Sequence, residues 1–459
     1  MPPAPYCSGP ILRWRASTAS RRELPESHSP PSLTLEQFRA RLDTLGAPKR
    51  FAIAVSGGRD SMALMRLCAA HTAASGAEIL AFTVDHGLRA AAADEAAQVK
   101  RWCADAGLAH ETLHWTGAKP GAGLQAAARH ARYRLLAQAA NAAGCDALLT
   151  AHTLDDQAET IFMRLARGAG VDGLAAMRAE TLIAAGAGAP IRLLRPMLEF
   201  SRAAGTQYLA ALGQPYIDDP SNDDPAFERI RVRGLLAALA EQDILNADAL
   251  CATGRKLDGA AHRLRAQEDK LFNTCGGVFY RWGGASLCRW DDNQPGAVGL
   301  ARRLIYACGG GEHLPDEDAA ARAVSEAAVG RAATLGGALI KRWKDQLWFL
   351  REPAGLTGRT GIPAADRVAL HEPLLWDNRY ILRPQGDTAD CEIGALGEAG
   401  LSENQQLFQG PPEALAALPG VYQRGVLIGA PTLPFTPPCG VSAEALIEER
   451  YRRRIVRFS

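Results

Sequence analysis

The polarity of the chain changes period repeatedly, and each change marks an element. Residues 51–55 (FAIAV) form a short unbroken apolar run, which reads as a strand buried on both faces. After a polar turn, Met62, Leu64, Met65 and Leu67 recur at helical spacing. Residues 79–85 (ILAFTVD) predict a second buried strand, 94–106 and 123–143 helices, and 147–150 (ALLT) a short strand leading into a helix over 155–167. Strand and helix alternating at this spacing predict an α/β fold, a parallel sheet with helices on both faces. Upstream, Thr34-Leu35-Glu36-Gln37 has the spacing of a capping box and predicts a helix to about residue 45.

Beyond residue 235 the pattern is less regular. Residues 235–269 read as helical on Leu236, Leu239, Ile244, Leu245 and Leu250, and 301–308 and 317–329 predict further helices. Residues 338–351 (ALIKRWKDQLWFLR) predict paired strands with Lys341, Arg342 and Lys344 exposed. A basic edge serves solubility, and with Trp343 among the charges it also has the pattern of an RNA surface. Residues 353–363 have the Gly/Pro content of a linker, and from 367 onward strands and turns predominate, closing in a basic tail over 450–457. The expected division is a tail at 1–32, a first domain at 33–235, a mainly helical middle domain at 236–355 and a small β-rich domain at 360–459.

Composition narrows this further. A length of 459 residues exceeds one domain of the usual ~100–200. With 47% hydrophobic and 22% charged residues the chain reads as soluble and globular, and no apolar run approaches the ~20 residues that span a bilayer. A net charge of +1 excludes a globally basic nucleic-acid binder and leaves room only for a local patch. The ten cysteines include no CxxC pair, which argues against a zinc or iron–sulfur site. With no secretory segment, a reducing cytoplasm fits. Residues 1–32, rich in Pro, Ser and Arg, are expected to be disordered, and Glu23 and Glu26 count against a transit peptide.

The chemistry gathers at strand ends. Ser56-Gly57-Gly58-Arg59-Asp60-Ser61 lies between a strand and a helix. Its glycines let backbone approach a phosphate, the N–H groups of the turn and the first helical turn point at it, and two hydroxyls add donors. Gly and Ser are common in any such turn, so it is the full hexapeptide in this context that marks a phosphate site. It lacks the lysine of a Walker loop and is not a GxGxxG. Asp85-His86-Gly87-Leu88-Arg89 follows the second strand, and His152 with Asp155 and Asp156 follows a later one. Ligands of parallel sheets bind at the carboxyl ends of strands, so one crevice would collect all three clusters. Asp155 is placed to cap its helix, yet two adjacent acids plus Glu159 exceed what capping needs. Carboxylates there suit Mg²⁺ beside a triphosphate and equally an incoming amine. Gln125, Arg129 and Arg132 share a helical face, 218–222 (DDPSN) is turn material, and the alternate Arg229, Arg231 and Arg233 suit a clamp on phosphate or RNA backbone.

SGGxDS resembles the pyrophosphate loop of the N-type ATP pyrophosphatases, the PP-loop superfamily. In order and at compatible spacings, Ser56–Ser61, VDHGLR at 84–89, QAAARHARY at 125–133, HTLDDQAET at 152–160, RGAGVDGLAAM at 167–177 and DDPSN at 218–222 resemble the tRNA(Ile)-lysidine synthetases. The likeness covers roughly residues 50 to 235. Two positions depart from it: Ile230 stands where the family often has Asn, and Tyr216-Ile217 where a Trp is common.

The resemblance implies a Rossmann-like PP-loop ATPase domain that uses ATP and Mg²⁺. Its reaction would adenylate the C2 oxygen of the wobble cytidine in an isoleucine tRNA with a CAU anticodon. The ε-amine of L-lysine would then displace AMP. It implies ATP contacts from Ser56, Gly57, Gly58, Arg59, Asp60, Ser61, Asp85 and His86. Asp60, His152, Asp155, Asp156 and Arg231 would lie near the reacting atoms, with Asp60 and Asp156 on Mg²⁺. C-terminal modules would hold the tRNA, a cytoplasmic location is expected, and the sequence leaves a monomer and a homodimer both open. Rival readings are a tRNA thiolase, a small-molecule amide synthetase and a non-catalytic RNA binder. The first wants paired cysteines near the loop, where Cys68 and Cys103 stand alone. The second wants a glutaminase segment, and the third leaves the intact hexapeptide without a purpose.

Overall fold

In the computed structural model, residues 33–458 are described, apart from 89–91, 117–118, 121–122, 186–189, 219–223, 354–366, 372, 387, 389, 398–407, 409, 434–438 and 454. The expected tail, Arg89, most of the DDPSN turn and nearly all of the expected linker therefore lie outside the described residues.

The first helix, α1 (Leu35–Thr44), starts where the capping box predicts, with Gln37 N–H donating to the Thr34 hydroxyl and Thr34 N–H to the Gln37 side chain, both at 3.2 Å. The chain then alternates: β1 (Arg50–Ala54), α2 (Arg59–Ser75), β2 (Glu78–Asp85), α3 (Ala92–Asp105), β3 (Ala109–His114), α4 (Leu124–Ala142), β4 (Ala147–Leu149), α5 (Leu154–Ala166) and α6 (Val171–Leu174). Next come β5 (Glu180–Ala185), β6 (Ile191–Leu194), α7 (Arg202–Ala211), α8 (Glu228–Glu241) and α9 (Ala247–Thr274). β1 sits between β2 and β4 in a parallel ladder, and Phe51, Ala52 and Ile53 are fully buried, which is why that stretch is an unbroken apolar run. One face packs on α1, α2, α3 and α7 through Phe38, Met62, Leu64, Leu67, Val99 and Leu209, and the other on α4 through Tyr133, Leu136 and Ala140. Each such fully buried large side chain contributes roughly 1.5–3 kcal/mol.

Three features depart from the sequence reading. β3 is a half-exposed edge strand whose polar residues hide it from an apolar-run criterion. The helix expected over 235–269 is two helices, broken at Asp243, which adopts φ 52°, and restarted by Asn246, whose side chain accepts from Ala249 N–H at 2.8 Å. α5 is capped by Thr153 rather than Asp155, with Asp156 returning the second bond of a capping box.

The following region adds β7 (Val278–Phe279), β8 (Ala285–Leu287), α10 (Ala297–Gly309), α11 (Glu317–Ala328), β9 (Ala333–Leu335), β10 (Ala338–Trp343) and β11 (Gln346–Arg351). Its antiparallel sheet runs β7-β8-β11-β10-β9 and packs on α10 and α11. The expected hairpin forms through Lys344 and Asp345, both at positive φ. Lys341, expected to be exposed, instead donates to Glu413 at 2.6 Å.

Two small sheets complete the chain: β12 (Val368–Ala369), β15 (Cys391–Ala395), β16 (Pro419–Gln423) and β17 (Val426–Gly429) in one, β13 (Leu374–Trp376), β14 (Tyr380–Pro384) and β18 (Val441–Ala445) in the other. A short helix, α12 (Glu413–Ala416), precedes β16.

The C-terminus is not a free basic tail. Arg450 is buried in α13 (Ile447–Arg452), and β19 (Ile455–Phe458) pairs in parallel with β5. The first sheet thus has seven strands in the order β19-β5-β6-β4-β1-β2-β3, all parallel except at the β5–β6 pair. Among the described residues no helix is long and apolar enough to cross a membrane.

Candidate functional site

Backbone geometry at the end of β1 builds the first wall of a cleft of about 670 Å³. Ser61 Oγ donates to Gly58 O at 2.8 Å and accepts from Ser56 N–H at 3.2 Å, which curls the hexapeptide into a closed turn. Gly57 sits at φ +85°, and a Cβ there would lie 2.6 Å from Ile217 Cδ1. Gly58 caps α2 with no side chain bonded to the helix's first N–H groups. An uncapped N-terminus carrying the positive end of a 17-residue helix is suited to a phosphate.

The second wall is ionic. Asp60, in the first turn of α2, faces Arg202 at the start of α7, with Nε to Oδ2 at 3.4 Å. Arg202 also reaches Asp156 Oδ1 at 3.2 Å and Glu159 at 3.5 Å. Arg229 joins the same pair, at 3.0 Å from Asp156 and 2.5 Å from Glu159, and Arg233 bonds Glu159 at 2.8 Å. Glu159 is only 2% exposed, so three guanidiniums converge on one buried carboxylate. Burial pushes the Asp60 carboxyl up to about 6, Arg202 opposes that rise, and the neighbouring charge of Asp156 adds to it.

A third cluster is cationic. His152 follows β4 and bonds Thr150 Oγ1 through Nδ1 at 3.0 Å. Burial, then Arg195, Arg129, Arg132 and Arg229, hold its pKa well below the ordinary value, so the ring is neutral. Buried Arg195 donates to Arg178 O and Thr181 Oγ1 while its Nε has no hydrogen-bond partner. Burial raises the Tyr133 phenol, but Arg132, Arg129 and Arg195 outweigh it and leave the group below its usual range. The cleft therefore has an acid–arginine side and, at His152, a side lined by Arg132 and under the influence of Arg129 and Arg195, a division suited to separating cationic from anionic ligand groups.

Of the residues expected from sequence, Ser56, Gly58, Arg59, Asp60, Ser61, Asp85, His86, His152 and Asp156 line this one cleft. Gly57 belongs to the turn behind it. Asp155 points elsewhere: its Oδ2 accepts Arg202 N–H at 2.7 Å and so secures the start of α7. Asp85 is engaged by its own turn, accepting Gly87 N–H at 2.8 Å. Arg231 is not part of the cluster. It is exposed and donates to the carbonyls of Pro225 and Ala226, because in a helix Arg229 and Arg233 share a face that Arg231 does not. Arg202, which ties Asp60, Asp156 and Glu159 together, was missed. Its only local signal is a helix start after Ser201, at the carboxyl end of β6.

The donors suit Mg²⁺ unequally. Asp60 Oδ1 is buried with no hydrogen-bond partner, an oxygen that a hard cation would satisfy. Asp156 is saturated instead, Oδ2 by Thr153 N–H and Oγ–H, Oδ1 by two arginines. No cluster of three His, Cys, Asp or Glu side chains ready to hold a metal occurs among the described residues. Cys68 in α2 and Cys103 in α3 are buried in the core, their thiols pushed up by desolvation, in the case of Cys103 to about 11.

The fold and site define an ATP-using PP-loop domain, and a family model of that description, PP-loop domain, matches residues 34–239. The chain is also similar to curated proteins along most of its length. It is 38% identical over 393 residues to the tRNA(Ile)-lysidine synthase of Ruegeria pomeroyi, covering 84% of this chain and 88% of that one. To the enzyme of the same name from Rhizobium meliloti it is 33% identical over 428 residues, 90% and 88% of the two chains. A shorter match, 51% identical over 196 residues, covers 41% of this chain and 52% of the tRNA(Ile)-lysidine synthase of a Bradyrhizobium species. The chain belongs to the tRNA(Ile)-lysidine synthase family.

Proposed function

We propose that the protein modifies the wobble cytidine of a CAU-anticodon isoleucine tRNA in two steps within this one cleft. The C2 oxygen of the base attacks the α-phosphorus of ATP and diphosphate leaves. The ε-amine of lysine then attacks C2, AMP leaves with the oxygen, and the amine gives up its proton. The observation that carries this reading, beside family membership, is the meeting in one cleft of an uncapped phosphate loop with the Asp60–Arg202–Asp156 group.

The residues divide the work as their surroundings suggest. N–H groups of the Ser56–Ser61 turn and the start of α2 are fixed dipoles aimed at charge developing on the leaving diphosphate. Mg²⁺, when bound, would neutralise phosphate charge, and Asp60 with its unpartnered oxygen is the residue that would hold it. Arg132 and neutral His152 line the arginine side, suited to phosphate, while the acid–arginine side with Asp60 and Asp156 is where a lysine ammonium would be held. The adenylate makes the C2 oxygen a good leaving group, so what the protein must still supply is alignment.

The test combines purified protein, ATP, Mg²⁺, labelled lysine and the unmodified tRNA. ATP-dependent label in the RNA, lost in Asp60→Ala, is the expected result. Diphosphate release without label would retain adenylation and reject lysine as the nucleophile, and neither product from folded protein would reject the reading. A homodimer belongs to the same proposal and is checked by sedimentation at working concentration.

A further inference from the structure

We propose that Tyr216, with Arg59 beside it, is the platform on which the target pyrimidine stacks after leaving its own strand. The inference rests on the functional reading above and goes further by assigning the base-positioning group. A base altered at C2 must be drawn out of the anticodon stack, and proteins replace lost stacking with aromatic rings or guanidinium planes. Among the described aromatic residues lining the cleft, Phe82 is only 2% exposed, His86 packs edge-on against Trp115 and His152 is tied to Thr150. Tyr216 differs. The residue lines the cleft and is 36% exposed, and the guanidinium carbon of Arg59 lies 5.9 Å from the ring centroid.

The ring is held rather than loosely placed. Ile217 N–H donates to Gly57 O at 2.9 Å, and the Ile217 side chain occupies the space that a Cβ at position 57 would need. The glycine at the phosphate turn thus has a second use: it seats Tyr216 at a fixed offset from the loop that binds the triphosphate. Arg59 connects the two, with Nε buried, free of any hydrogen-bond acceptor and 3.9 Å from Asp60 Oδ1. A base lying on Tyr216 would be held next to the reacting phosphate. A mononucleotide's own base can go deeper, toward Phe82 and Val84, whereas a polynucleotide must meet the rim first.

The test uses the full-length protein and an anticodon stem-loop RNA carrying fluorescent pyrrolocytosine at the wobble position. Wild type and Tyr216→Phe should quench the fluorophore on binding. Tyr216→Ala should not, and its KM for tRNA should rise roughly 5- to 100-fold, the range that one base–aromatic stack supports, with KM for ATP within about twofold by the same argument. Undiminished quenching and an unchanged tRNA KM in Tyr216→Ala would overturn the proposal. So would a rise in the ATP KM alone, which would make the ring an adenine platform. If wild-type protein neither binds nor modifies the RNA, the functional reading fails and this one with it; normal wild-type turnover with an indifferent Tyr216→Ala fails this one only.

Discussion

The cleft cluster and a cluster of an acid and arginines in the C-terminal region are, among the described residues, built to opposite ends. In the C-terminal region Asp377, 1% exposed, takes a fork from Arg351 and a further bond from Arg379 at 2.6 Å. The rest of the Arg379 fork ends on Ala417 O and the Tyr380 hydroxyl, and Asn378 closes onto Gly310 O. Nearby Arg450 spends its guanidinium on the carbonyls of Tyr306, Ala307 and Gly311. Both oxygens of Asp377 are taken, and the turn joins β13 and β14 to α10 and β11. The cleft cluster has as many carboxylates as arginines, yet Asp60 keeps an unbonded oxygen and a raised pKa, and Arg229 and Arg233 stay about one-third exposed. Saturation and burial mark an ionic group that holds a fold. Orphaned atoms and partial exposure mark one that waits for a ligand.

The largest expected effect comes from breaking the sealed cluster. Asp377→Ala leaves two guanidiniums buried without their carboxylate, and breaking such a pair costs about 3–5 kcal/mol. Urea unfolding should show this loss in the transition that reports the C-terminal region. Glu159→Gln should cost less, about 1–3 kcal/mol, because the amide still accepts a hydrogen bond and Arg229 and Arg233 can turn toward water. A Glu159→Gln loss as large as that of Asp377→Ala would mean the cleft cluster is structural too.

Asp60→Asn separates the clusters by sign. Burial raises the folded-state pKa of Asp60 from 3.8 to about 6, so its protonated form is the one folding favours. The contribution of Asp60 is therefore fully favourable below pH 3.8 and is lost as pH rises through about 6. Asparagine mimics the protonated form and should stabilise the ligand-free protein by about 1–3 kcal/mol at pH 7.5. The gain should shrink toward zero near pH 4, while turnover is abolished. Thermal melts at both pH values check it, and a variant less stable than wild type at pH 7.5 would contradict the raised pKa.

The contrast also explains what could be read in the sequence. The phosphate turn, the strand before it and the Thr34 capping box are local, so six or fewer consecutive residues carry the whole signal of each. The 152–160 run is legible as a motif, but its reasons are distant: Gln157 exchanges two hydrogen bonds with the backbone of Met177, and Arg164 bonds the carbonyls of Gly173 and Ala176. Arg202 could not be read, because one arginine at a helix start acquires meaning only through Asp60 and Asp156, more than 40 positions away. The last strand looks like a basic tail, since Arg450 finds its carbonyls, and β19 its partner β5, only after folding.

Arg231 is the finest test of the comparison, and the smallest expected effect. Read as alternating residues, Arg229, Arg231 and Arg233 would all reach one ligand, but a helix turns 231 away from the other two. Its guanidinium is exposed and bonded to the carbonyls of Pro225 and Ala226 at 2.8 and 2.9 Å, just before α8. Arg231→Ala should thus change stability by no more than about 0.5 kcal/mol and leave kcat and the ATP KM within about twofold. Arg229→Ala, two positions away, removes a cation bonded to both Asp156 and Glu159 and should lower kcat at least tenfold, since alignment in the cleft depends on that pair. Equal losses in the two variants would show that the helix reorganises around its ligand and that Arg231 turns inward on RNA binding. A loss in Arg229→Ala alone would show that the cluster seen here is already the working one.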